Sequence, residues 1–264
     1  MIRYCFLLAF LLQTSLNIAQ GDFSVFIEKI KEGGNLGPEM KVHFHEDFPN
    51  TFGSLDEIYI RGEEVIVRAK TTFVICQLTD PYGLCMVNLL SAFDHANKIQ
   101  KQELFNLLCQ QDEMSEFFES SEYSFFNDSI IEVRTQNYVN EDLPGNEAAG
   151  EEPIYYQYFF LRDTEFSFYE KDRPEGKRED DRLDYRIFTK EMLEEYSVSE
   201  LRILRNSIFA RHGYRFKSKD LQAHFLAQSW YTESTKTQDS ILKELNPIEK
   251  VNIQLIQEME QKRK

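Results

Sequence analysis

Hydrophobic positions recur with helical spacing in two places near the end of the chain. Val198, Leu201, Leu204 and Ile208 form one stripe; Ile248, Val251, Leu255, Ile256 and Met259 form another. The ends of both helices are written in the sequence. Ser197 followed by Glu200 is a capping box, and Tyr196 and Leu201 have the spacing of a hydrophobic staple. Gly213 stops the first helix, with Arg211 and His212 in its last turn facing the negative end of the dipole. Asn246-Pro247-Ile248-Glu249 opens the second with an N-cap, a proline at the first helical position and a glutamate three residues on. Between them, Ser218 predicts a cap for a helix over Lys219–Ser229 with Leu221 and Phe225 inward, and Thr232–Ser240 reads as a polar loop.

Upstream the pattern shortens. Phe23, Phe26, Ile27 and Ile30 predict a helix over Phe23–Lys31, stopped at Gly33-Gly34. Lys41–Phe44 reads as a weak strand. Glu57–Ile60 and Glu64–Ala69 predict a hairpin about Arg61-Gly62-Glu63, and Thr72–Leu78 and Leu84–Leu90 another about Asp80-Pro81-Tyr82-Gly83. Leu104, Leu107 and Leu108 predict a helix over Lys98–Gln110. Glu122–Phe126, Ser129–Arg134, Ile154–Arg162 and Glu165–Tyr169 are strand-like, while 140–153 is an acidic Gly- and Pro-bearing loop. Lys171–Asp184 is almost devoid of apolar residues and reads as a linker, followed by a short strand or tether over Leu183–Lys190.

These elements predict an α+β protein: a β-rich domain over 22–170, a charged linker over 171–190 and a small helical domain over 191–262. Residues 1–19 carry Arg3, an apolar run and a small residue before Gln20, the pattern of a removed secretory signal; a retained anchor is the alternative. No later run is long enough to cross a membrane as a helix. The formal net charge is −15, or −16 once Arg3 leaves with the signal, which argues against a nucleic-acid partner. Cys76, Cys85 and Cys109 would remain, an odd number for an exported chain. A Cys76–Cys85 bridge closing the second hairpin and a pair of buried thiols are both open.

Against this acidity, Leu201–Lys219 holds Arg202, Arg205, Arg211, Arg215, Lys217 and Lys219 with no Asp or Glu among them. Arg205, Arg211, His212, Tyr214 and Arg215 are the candidate ligand-binding residues, because guanidinium groups grip carboxylates and phosphates bidentately. The same residues also read as helix-end architecture, with arginine stems lying over Tyr214 and Phe216. Trp230-Tyr231 is either a stacking platform for a sugar or peptide or a core plug, the latter favoured for Trp230. His43-x-His45-Glu46-Asp47 fixes no third metal ligand, and no metal or cofactor is expected. No Gly-x-Ser-x-Gly, His-Glu-x-x-His or Gly-rich phosphate loop occurs, so no catalytic residue is assigned.

The run Arg205-Asn206-x-Ile208-Phe209-Ala210-Arg211-His212-Gly213-Tyr214-Arg215-Phe216 resembles the signature of the YARHG domain, with Phe209 in place of its first tyrosine. The likeness continues through Ser218-Lys219-x-Leu221, Trp230-Tyr231 and Leu245-Asn246-x-Ile248-Glu249-x-x-Asn252, and covers Glu191–Gln261. It implies an extracellular module of bacterial proteins, set beside other secreted domains, with no established biochemical role. More weakly, Gly62–Arg68 and Val74–Leu78 are similar to the opening strands of bacterial SH3-like domains, a likeness that lapses after residue 90. The expectation is therefore a secreted or periplasmic, non-enzymatic module that binds a cell-wall or other envelope component, anionic in character, through the basic helix end. The alternative is an envelope hydrolase whose site lies in the N-terminal domain, with the helical domain as accessory.

Overall fold

The computed structural model describes residues 23–44, 57–109, 117–139, 154–170 and 183–263. The expected signal, the acidic loop over 140–153, most of the charged linker and His45-Glu46-Asp47 lie outside these residues. The chain divides into two compact units at Phe168/Tyr169.

The first unit is built of two antiparallel four-stranded sheets. One holds β1 (Tyr59–Val67), β2 (Thr71–Thr79), β3 (Cys85–Asp94) and β4 (Ile99–Cys109) in sequential order; the other holds β5 (Phe117–Asn127), β6 (Ile130–Val139), β7 (Ile154–Leu161) and β8 (Phe166–Glu170). The apolar runs of β2 and β3 are nearly continuous because both faces of the first sheet are covered. Phe73, Ile75, Leu90 and Ala92 pack with Ile131, Val133, Phe159 and Phe166 of the second sheet. The alternate residues Val74, Cys76, Leu78 and Phe93 pack against Phe23, Phe26 and Ile30 of a helix over 23–31 (α1).

Three expectations for this unit are corrected. Lys41–Phe44 is not a strand: Pro38–His43 forms a 3-10 turn, begun by a proline whose fixed φ suits it. Arg61-Gly62-Glu63 is not a hairpin turn but a bulge within one strand, where the β1–β2 register shifts between Gly62 and Glu64. Gly62 is required by close approach, since a Cβ there would stand 2.3 Å from Ile30 Cα. The helix expected over Lys98–Gln110 is overturned: Ile99–Cys109 is strand β4, paired antiparallel with β3. A second bulge with Asn106 at φ 57° breaks its alternation, and the remaining leucine spacing imitates a helix.

The hairpin at Asp80 forms as expected, with Gly83 at φ 70° and the Cys85 amide donating to Asp80 Oδ1 at 2.7 Å. It is not closed by a Cys76–Cys85 bridge. Cys76 is a buried free thiol, while Cys85 is disulfide-bonded. Cys76 stands opposite Leu89 in the β2–β3 ladder. It is thus four residues, roughly 13 Å along the strand, from the level of Cys85, too far for a disulfide. The residue opposite Cys85 in the β3–β4 ladder is Cys109.

The second unit is helical. It comprises α2 (Lys190–Glu194), α3 (Val198–Arg211), α4 (Lys219–Leu226), α5 (Gln238–Glu244) and α6 (Pro247–Lys262). Both expected capping boxes are present: the Ser197 hydroxyl accepts from the Glu200 amide, and the Asn246 side chain from the Glu249 amide, with each glutamate returning to its cap's own amide. The α3 stripe buries Leu201, Leu204 and Ile208; the α6 stripe buries Ile248, Ile256 and Met259. Two expectations here are corrected. The polar connector contains α5, capped by Thr237 and anchored by one buried residue, Ile241. Helix α4 ends at Leu226, three residues early, and Ser218 stands at its N-cap with its hydroxyl turned to the Asp220 side chain, not to a backbone amide. Of the two readings for Leu183–Lys190, the tether holds and the strand does not: Leu183–Thr189 forms a 3-10 turn and an irregular segment.

That segment is held to α6 by one side chain. Asn252 is fully buried. Its Nδ2 donates to the carbonyls of Leu183 (2.9 Å) and Arg186 (2.8 Å), and its Oδ1 accepts from the Phe188 amide (2.8 Å). Asn246 adds a bond to the Asp184 carbonyl at 3.0 Å. Leu183 and Phe188 thereby enter the helical core.

Candidate functional site

Helix α3 ends at Arg211 and is capped by His212, followed by Gly213 at φ 79°, which places the Tyr214 amide on the Phe209 carbonyl at 3.0 Å. The loop that leaves this turn is where the predicted site residues diverge. Arg205 lies about two turns earlier, and its Nε and Nη2 meet the two oxygens of Glu260 on α6 at 2.9 and 3.3 Å. This is a forked, largely buried pair that pins α3 to α6.

His212 Nε2 lies 2.9 Å from Glu249 Oε1, and the Glu249 side chain is only 5% exposed. The other oxygen of Glu249 accepts the Asn246 amide at 2.9 Å. One buried carboxylate therefore closes the α6 capping box and receives the end of α3. Glu244 Oε2 stands 3.9 Å from the other ring nitrogen.

Tyr214 packs edge-on against Phe216, centroids 5.1 Å apart, and its carbonyl accepts the Tyr231 hydroxyl at 2.6 Å. Arg211 is half-buried, with its guanidinium 5.7 Å from the centroid of the Trp230 ring. Arg215 is 72% exposed, with Glu233 Oε2 at 3.4 Å from its Nε. Lys217 and Lys219 are exposed on the same loop and the first turn of α4. Arg202 reaches Asp220 and Ser218 at that turn; this pairing holds the Asp220 carboxyl well below the usual range.

The structure thus joins Arg205 and His212 to α6 carboxylates and leaves Arg215, Lys217 and Lys219 facing solvent. The counter-charges were invisible in the basic stretch because they come from elsewhere in the chain, Glu260 from 55 positions away.

A second feature was foreshadowed in the sequence only by the less favoured, platform reading of Trp230. Between α3 and α4 lies a pocket of about 350 Å³. Its apolar wall is Tyr196, Ile203, Leu204, Phe225 and Trp230. Glu200, Ser207, His224 and Gln228 supply polar groups. Tyr231 fills the core as expected, but Trp230 does not: it is 41% exposed. Phe225 and Tyr231 touch Trp230 edge-on, at 6.1 and 6.3 Å, and leave it at the surface. Its being the single tryptophan of the chain was the available signal.

In the first unit, Glu63 at the β1 bulge accepts from Tyr123 (2.6 Å) and Asn88 (2.7 Å) through one oxygen, and Asn106 at the β4 bulge donates to Asn88 Oδ1 at 2.8 Å. Burial, and then the bond to Glu63, push the Tyr123 hydroxyl well above its usual range. Among the described residues this network contains a single carboxylate. Its evident work is to satisfy polar groups at two bulges. Among the described residues, no group of three or more His, Cys, Asp or Glu side chains could hold a metal ion, and no helix is long and apolar enough to cross a membrane.

Compared with known proteins, the chain matches no curated protein and no solved structure. It matches the family model of the YARHG domain over residues 180–261. That span takes in the Leu183–Phe188 segment which Asn252 ties down, together with α2 through α6. A YARHG domain is thus found at residues 180–261, in the C-terminal part of the chain.

Proposed function

We propose that the chain is an exported, non-enzymatic bacterial protein. Its YARHG domain binds an anionic component of the cell envelope through the turn and loop that leave α3. Arg205 and His212 set the position of this loop by their pairing with Glu260 and Glu249. Arg211 and Tyr214 form its floor, and Arg215, Lys217 and Lys219 present charge to the ligand. The observation that carries the reading is the exposure of these last three cations on the loop and the first turn of α4, next to cations engaged in holding the fold. A local cluster of this kind attracts an anion even on a protein of net charge −15. Export is supported by the N-terminal sequence pattern and by the disulfide at Cys85, a bond that persists in oxidising compartments.

The test uses the protein purified from an exporting host, with soluble polyphosphate and washed bacterial wall fragments as probes. Binding should be saturable and weaken as salt rises, because the contact is between exposed charges. The triple variant Arg215→Ala/Lys217→Ala/Lys219→Ala should weaken it about tenfold or more, with an unchanged melting temperature. Equal binding by the triple variant refutes the assignment, and soluble product released from the fragments refutes the non-enzymatic part.

A further inference from the structure

The α3–α4 pocket has a chemistry distinct from that of the cationic loop. At about 350 Å³ it is at the small end of ligand-sized cavities. Glu200 lines it, and the Ser197 hydroxyl and amide hold the Glu200 carboxyl below the usual range, so the pocket carries a negative charge at neutral pH. No lysine or arginine lies among its described lining residues. The lining residues therefore offer an anion no cationic partner. A cation is disfavoured too, because the Arg211 guanidinium already occupies the electrostatic field of the Trp230 ring.

What remains is a neutral molecule with one apolar face and polar edges. The half-exposed indole of Trp230, with Tyr196 and Phe225, offers a surface for the apolar face. Gln228, His224 and Glu200 offer donors and acceptors for hydroxyl groups. A sugar ring has this division between a C–H face and a hydroxyl rim.

We propose that the pocket binds a neutral pyranose. It uses none of Arg215, Lys217 and Lys219, so it stands or falls separately from the anion reading.

Because Trp230 is the only tryptophan and lines the pocket, its emission, excited selectively over that of the tyrosines, reports on the pocket and its rim. The full chain is titrated with glucose, N-acetylglucosamine and the N-acetylglucosamine tetramer, and in parallel with choline. A saturable change with at least one sugar, and none with choline, is expected. Gln228→Ala, which keeps the reporter, should weaken sugar binding about tenfold, and Trp230→Ala should abolish the heat of binding in calorimetry. Saturation by the single rings assigns the site to free sugars as well as glycans; saturation by the tetramer alone assigns it to a glycan chain. The proposal is overturned if no sugar saturates the signal at ~10 mM, well above a millimolar Kd. It is equally overturned if choline saturates it or if Gln228→Ala binds sugar as the parent does.

Discussion

Replacing Asn252 with alanine removes three hydrogen bonds at once and leaves the Leu183 and Arg186 carbonyls and the Phe188 amide without their partner inside the helical unit. Each bond contributes about 1 kcal/mol net, and a buried group left unsatisfied costs roughly 1–3 kcal/mol. Some of the three will find water as the segment loosens, so the expected loss is about 3–5 kcal/mol. For a unit of this size, total stability is on the order of 4–12 kcal/mol. The substitution should therefore bring the YARHG domain close to unfolding at physiological temperature. The assay is urea denaturation of the full chain followed by Trp230 emission, which reports this unit. With a slope of about 1–3 kcal/mol/M, the midpoint should fall by roughly 2 M. Asn252→Asp keeps an acceptor for the Phe188 amide, loses both donors and sets a carboxylate against two carbonyls, so it should be no better than alanine. A loss below about 1 kcal/mol in the alanine variant would refute the view that this side chain joins the Leu183–Phe188 segment to α6.

Other outcomes follow from the same geometry. Gly213→Ala should destabilise the helical unit by at least ~1–2 kcal/mol from the left-handed backbone alone, with more from the Ser234 side chain 2.9 Å from the added Cβ; a melt unchanged within error would contradict this. Glu200, Asp220 and Glu244 have carboxyl pKa values lowered by Ser197, Arg202 and Lys236 respectively. Their contribution is present above the ordinary carboxylate range and lost as pH falls through the lowered values. The melting temperature should therefore fall below about pH 4, and a rise there would invert the sign. Cys76, whose thiol is pushed up by burial, should resist alkylation in the native chain and react after unfolding, while peptide mapping returns Cys85 in a disulfide. Rapid native labelling of Cys76 would contradict its burial.

Where structure depends on neighbours in sequence, the residues declared it. Both capping boxes, the glycine exit of α3, the proline start of α6 and the Asp80 turn were legible because their partners lie within a few positions. Where it depends on distant partners, local reading failed. The bulge at Asn106 disguised β4 as a helix, since only pairing with β3 reveals the ladder. Helix α5 has one buried residue and hence no apolar stripe to read. The basic stretch looked uniform in sequence. Its division into fold-holding and exposed cations is set by Glu249 and Glu260 on α6. Trp230 read as core because aromatic pairs next to small helices usually are; the core had room for Tyr231 alone.

The measurement that bears most directly on the proposed role is polyphosphate affinity in three variants side by side: Arg205→Ala, Glu260→Gln and the Arg215/Lys217/Lys219 triple alanine. The account predicts that the first two lower the melting temperature and bind as the parent does below their melts. The triple variant should keep the parent's melting temperature and lose about tenfold or more in affinity. If the triple variant binds as the parent does while Arg205→Ala, still folded, does not, the exposed loop is not the ligand contact and the division of labour among the α3 cations is wrong.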